Sequence, residues 1–78
     1  MEPVEVTARF NLDGKIVPLN FSWREKQYKV TSVGRSWEDE AGRHILVMTP
    51  GDRIYELVFV PAEILWYLRR LDGERLPS

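Results

Sequence analysis

Apolar residues recur at every second position on both sides of a short polar break between residues 21 and 30, and this beat constrains the fold more than any other feature. Phe21 and Trp23 share one side of a run, Arg24, Glu25 and Lys26 interrupt it, and Tyr28 and Val30 then resume the alternation. A period of two belongs to β-strands, and two such runs around a polar break predict a hairpin with an aromatic inner face. The phase then slips. Tyr28 and Val30 have one parity, Val33 and Trp37 the other, with Ser32 and Gly34 between them. A bulge near Thr31 to Gly34 would bring all four inside, so the stretch is read as one long strand bent sharply around a barrel corner.

The flanking sequence repeats the theme. Val4, Val6, Ala8 and Phe10 alternate with Glu5, Thr7, Arg9 and Asn11, which predicts a half-buried strand. Asn11 to Gly14 supplies turn chemistry, with Gly14 suited to a positive φ. Val17, Leu19, Phe21 and Trp23 form the expected inner face of the second strand, where Pro18 cannot donate to a ladder. Arg43 to Thr49 and Arg53 to Val60 predict two further strands around a Pro50-Gly51 turn. In the first of them His44, Ile45, Leu46, Val47 and Met48 are apolar on both parities, which suggests cover on two sides. The last segment supports two readings. Pro61, Ala62 and Glu63 could open a short helix, whereas Ile64, Trp66 and Leu68 alternate as a strand, and the strand is preferred.

Together these signals predict an all-β domain: one small antiparallel meander of about six strands closing into a barrel. The ordered core is expected at about residues 3–71, followed by a polar tail at about 72–78. With 78 residues there is room for one core and no second domain. The chain has no Cys, no basic and apolar leader at its start, and no apolar run near the ~20 residues of a membrane-spanning helix. A cytoplasmic protein with no membrane contact is the expectation.

The chemistry expected of an enzyme is thin. His44 is the only histidine and there is no cysteine, so neither a Cys–His pair nor a multi-His metal site can be built. Ser22, Ser32 and Ser36 lack a Gly-x-Ser-x-Gly context, and the glycines are scattered singly. Glu56 with another acid across the sheet could form a carboxylate pair, but two solvated carboxylates explain the pattern as well. His44 is read as a partly buried structural residue, and Glu38, Asp39 and Glu40 as a solvated loop tip. No catalytic residue, cofactor or metal is expected.

Two binding readings remain. Lys26, Lys29, Arg35, Trp37 and Arg43 interleave cations with aromatics, as in barrels that bind single-stranded nucleic acid. The competing explanation makes Tyr28 and Trp37 core and the cations solubility residues. Net charge is −1, with 11 Lys and Arg against 12 Asp and Glu, so any attraction for nucleic acid must be local. The other reading is a protein-interaction or homodimer face on the outer parity of two apolar strands, carried by Ile45, Val47, Ile54 and Val58.

The spacing also resembles a family. Pro3-Val4-Glu5-Val6, then Phe21-x-Trp23 with Tyr28-x-Val30, then Trp37, Tyr55-Glu56-Leu57, and Trp66-Tyr67-Leu68 before Arg69 and Arg70 look like the pattern of the bacterial DUF6504-like domains. The resemblance spans roughly Pro3 to Arg70. It implies a small domain whose last aromatic motif is a strand, found alone or associated with Y-family DNA polymerase relatives. The implied setting is accessory to DNA repair or replication, with a DNA-polymerase-associated protein as a candidate partner. The resemblance brings no functional residues with it.

Overall fold

The computed structural model describes residues 1–70, and the expected polar tail lies outside them. Seven antiparallel strands form one curled sheet: β1 (Glu2–Phe10), β2 (Ile16–Trp23), β3 (Lys26–Lys29), β4 (Ser32–Glu38), β5 (Arg43–Thr49), β6 (Arg53–Val60) and β7 (Leu65–Arg70). Their order is β3-β2-β1-β7-β6-β5-β4, a meander whose first and last strands meet where Glu2 to Val4 pair with Leu68 to Trp66. No helix occurs among the described residues. None is therefore long and apolar enough to cross a membrane.

The strand expected to bend does so at Val30 and Thr31, which splits it into β3 and β4 and accounts for seven strands instead of six. The Val30 amide donates to the Leu19 carbonyl on one flank of the sheet (3.0 Å), and the next amide, Thr31, donates to Met48 on the other (2.8 Å). The hydrogen-bond ladder therefore stays open as a half-barrel, and the covalent chain spans its two edges. A register shift sits between Val33 and Ser36, slightly later than expected. Val33, opposite Val47, has the inner parity but remains 42% exposed, and after the shift Trp37 packs on the outer face against the expectation.

Two other parities need correction. A register shift at Thr7/Ala8, opposite Pro18 and Asn20, rotates β2 so that Pro18 is buried with Phe21 and Trp23, while Leu19 faces out. A bulge absorbs a residue that cannot donate, and the earlier half of the strand changes sides. In β5, Ile45 and Val47 point inward and belong to the core, so they are not on the outer parity assigned from sequence. The outer positions are His44, Leu46 and Met48. Of the other two residues of the expected interaction face, Ile54 is 37% exposed and Val58 is fully buried.

The core joins Phe21, Trp23, Ile45, Val47, Tyr55, Leu57, Trp66 and Leu68. Its aromatic half is gathered at one end, where Phe21 stacks on Tyr28 at 5.1 Å and Tyr55 meets both Phe21 and Trp23 edge-on at 5.5 and 6.1 Å. Offset and edge-on pairs of this kind add about 0.5–1.5 kcal/mol each beyond the area they bury. The segment with two sequence readings contains part of each. Ile64 donates its amide to the Val60 carbonyl (2.9 Å), a single helical turn, and β7 follows at once as the preferred strand.

A candidate anion-binding cleft

An up-and-down sheet gathers alternate turns at its two ends, and here the ends differ in charge. One holds the start of β1, the β2–β3 and β5–β6 turns and the end of β7. Because the sheet does not close, this end opens into a cleft of about 720 Å³ between β3 and the β5–β6 turn. Its walls include Arg24, Lys26, Lys29, Arg53 and Arg70, its floor is Trp23, Tyr28 and Tyr55, and among the described residues no Asp or Glu lines it.

Strand register explains why cations collect there. Lys26 pairs with Trp23, Arg53 with Thr49, and Arg70 with Tyr55, so all three have the inner parity at the position where the core gives way to solvent. A Lys or Arg suits such a place, since its stem lies along the apolar rim while its head stays wet. Trp23 is flanked by two guanidinium groups, Arg24 at 4.7 Å and Arg70 at 5.6 Å from the ring centroid. Arg24 also pairs with Glu2 at 2.7 Å, and the Trp23 indole N–H donates to the same carboxylate. Those two hydrogen bonds, Arg24's being the stronger influence, hold the Glu2 carboxyl below its usual range. Lys26 and Lys29 have no carboxylate partner among the described residues.

The β2–β3 turn at the cleft mouth is held in an uncommon backbone conformation. Arg24 and Glu25 both have positive φ, 53° and 66°, as a two-residue primed hairpin turn requires, although neither is Gly. The left-handed region costs a non-glycine residue about 1–2 kcal/mol. The Arg24 contacts with Glu2 and Trp23 offset part of that cost and aim the turn over the cleft.

The basic and aromatic group expected from sequence is divided by the structure. Lys26 and Lys29 line the cleft, whereas Arg35, Trp37 and Arg43 do not. Arg35 lies over the Trp37 ring at 5.4 Å on β4. Arg43 is held at the opposite end, paired with Glu38 at 2.8 Å and donating to the Gly14 carbonyl at 3.1 Å. In their place the fold brings in Arg24, the neighbour of Lys26 in the β2–β3 turn, together with Arg53 and Arg70, which sequence spacing could not group because they come from distant strand ends.

A second cluster lies on the outer face of the sheet. His44 is 8% exposed and its ring nitrogens both face carboxylates: Nδ1 is 2.5 Å from Glu56 Oε2 and Nε2 is 2.8 Å from Asp39 Oδ1. Trp37 stacks on the ring, nearly parallel, at 5.0 Å. Glu56, 5% exposed, also has Arg69 at 3.9 Å. The sequence reading of His44 as a buried structural residue agrees with this placement. Both nitrogens are occupied by carboxylates, and among the described residues no group of three or more His, Cys, Asp and Glu is arranged to hold a metal ion.

No family model matches the chain, and no curated protein or solved structure does.

Proposed function

We propose that the protein is a non-enzymatic binding module whose cleft takes the phosphate backbone of single-stranded nucleic acid. The observation that carries this reading is the cleft itself, with cations from four strand ends and turns around one opening and, among the described residues, no carboxylate in its lining. An anionic strand laid there releases counterions as it neutralises each cation, and this supplies affinity without any sequence-specific contact. The aromatic floor contributes less than in barrels that bind by stacking. Phe21, Tyr28 and Tyr55 are packed on one another, and Trp23 is covered by two guanidinium groups. Only half-buried Tyr28 offers a ring edge to a base. The ligand is therefore recognised as a polyanion, with little preference among bases.

A cytoplasmic protein accessory to DNA repair or replication, the setting implied by the DUF6504-like pattern, fits the same reading. The test is fluorescence anisotropy of a labelled oligothymidylate at rising salt. Binding at low salt that weakens linearly on a log–log plot is expected, and a flat trace at low salt removes the proposal.

One observation favours a second reading, a protein-interaction or homodimer face. A depression of about 160 Å³ on the outer face of β4 to β6 is lined mainly by Ser32, Gly34, Leu46, Met48 and Ile54, beside the edge of β4, which has no strand partner there among the described residues. Sedimentation at high concentration tests it, and a monomer throughout counts against the homodimer.

A further inference from the structure

We propose that Asp39, His44 and Glu56 form a proton-operated latch that holds the acidic loop between β4 and β5 against the outer face of the sheet. A neutral imidazole has one N–H, and an ionised carboxylate can only accept. Yet both nitrogens of His44 lie at hydrogen-bonding distance from carboxylate oxygens. The arrangement is satisfied only when the cluster holds one proton more than a neutral ring and two carboxylates provide. Without it, a ring lone pair faces a carboxylate oxygen at one of the two contacts. The Glu56 contact lies within the β5–β6 ladder, which fixes it. The Asp39 contact is the one free to open.

Asp39 also organises the loop. Its Oδ1 accepts from the amides of Ala41 (2.9 Å) and Gly42 (3.3 Å) as well as facing His44 Nε2. Backbone hydrogen bonds between Asp39 and Gly42 run in both directions, at 3.0 and 3.2 Å. Gly42 has φ 150°, and a Cβ there would run into the Phe59 carbonyl oxygen, so the loop is pressed against β6. One carboxylate thus ties the loop's own turn to a ring in the sheet, and the proton on that ring decides whether the tie holds.

The surrounding charges favour the proton. From β6 comes Glu56, from the loop Asp39, and from β7 Arg69, which lies on Glu56 and not on the ring. Trp37 of β4 covers the ring without charge, and Arg43 on β5 is engaged by Glu38. Tyr67 on β7 donates to Glu63 (2.6 Å). Burial works against a charged His44, but its hydrogen bonds to Glu56 and Asp39 outweigh it and hold its pKa above the ordinary 6.5. The hydrogen bond with His44 likewise keeps Asp39 below the usual carboxylate range. A folded-state pKa raised above the unfolded value gives stability that is complete below 6.5 and is lost as pH rises through the folded value. The loop is held below pH 6.5 and released as pH rises through the folded value.

The experiment is a pH titration by nuclear magnetic resonance of the intact protein, following the His44 ring nitrogens together with the amides of residues 39–42. The expected result is a doubly protonated ring at pH 6.5, a midpoint above that value, and loop amides that shift with the same midpoint. Asp39→Asn, at an exposed carboxylate and therefore tolerated by the fold, should lower the midpoint and leave the loop amides insensitive to it, while Glu56 stays paired. A ring that is singly protonated at pH 6.5, or loop amides that ignore its titration in the unaltered protein, would overturn the latch. An unchanged midpoint in Asp39→Asn would do so as well.

Discussion

The two ends of this half-barrel use charge in opposite ways. At the acidic end the charges are matched within the protein: Arg43 on Glu38 and His44 between Asp39 and Glu56. At the open end the lining brings cations together with no carboxylate among the described residues, and Arg24 reaches out of it to Glu2. Matched charges hold the fold together, because each desolvated group has its partner in place. Like charges around an opening do little for the fold. They raise the local concentration of an anion instead, within the ~10 Å over which salt at 0.1 M leaves their field intact. A net charge of −1 conceals this division, since the sum says nothing about where the signs lie.

Substitutions at the two ends should therefore produce different losses. The largest effect on stability is expected from Glu56→Ala, which leaves the buried His44 with half its carboxylate partners. A cost of about 2–3 kcal/mol is expected in urea unfolding at pH 6, with no change in affinity for an oligonucleotide. Affinity that fell as well would break the division between the ends. The reverse pattern is expected for Lys26→Ala with Lys29→Ala, whose unfolding should stay within about 0.5 kcal/mol of the parent. Its binding should weaken, and the slope of log affinity against log salt should become shallower by about 1.4, at roughly 0.7 per lost phosphate contact.

A smaller gain of about 0.5–1 kcal/mol is expected from Glu25→Gly, which relieves a positive φ that only glycine adopts without cost. Calorimetry reads it as a rise in Tm. Arg35→Ala sharpens the comparison from the other side. Because Arg35 lies on the outer face over Trp37, its loss should leave both stability and the salt slope almost unchanged.

These expectations also mark what the chain reveals before it folds. β5 and β6 were legible to their end residues, because turn chemistry at Pro50-Gly51 and the loop before Arg43 bound them closely. The bent strand was legible from its phase slip. Which side of β5 faces inward was not, since Ile45, Leu46 and Val47 are apolar on both parities and a period of two carries no information there. In β2 the parity failed for another reason: a bulge beside Pro18 turned the strand over, and one missing amide does not announce on which side the ladder will recover. The cleft was half legible. Arg24, Lys26 and Lys29 are neighbours in sequence, but Arg53 and Arg70 join them only through the register of strands far apart in the chain. Glu56 and His44 lie diagonally across one hairpin, so their meeting followed from the turn at residues 50–52 once the outward parity was known.

The most direct test of the cleft is a map of where a strand binds. Unlabelled oligothymidylate titrated into isotopically labelled protein at low salt should shift the amides and ring signals of Trp23, Lys26, Tyr28, Lys29, Arg53, Tyr55 and Arg70. The acidic loop at residues 39–42 should stay still. Shifts centred on that loop or on the outer face of β4 to β6, or no shifts at all, would contradict the account.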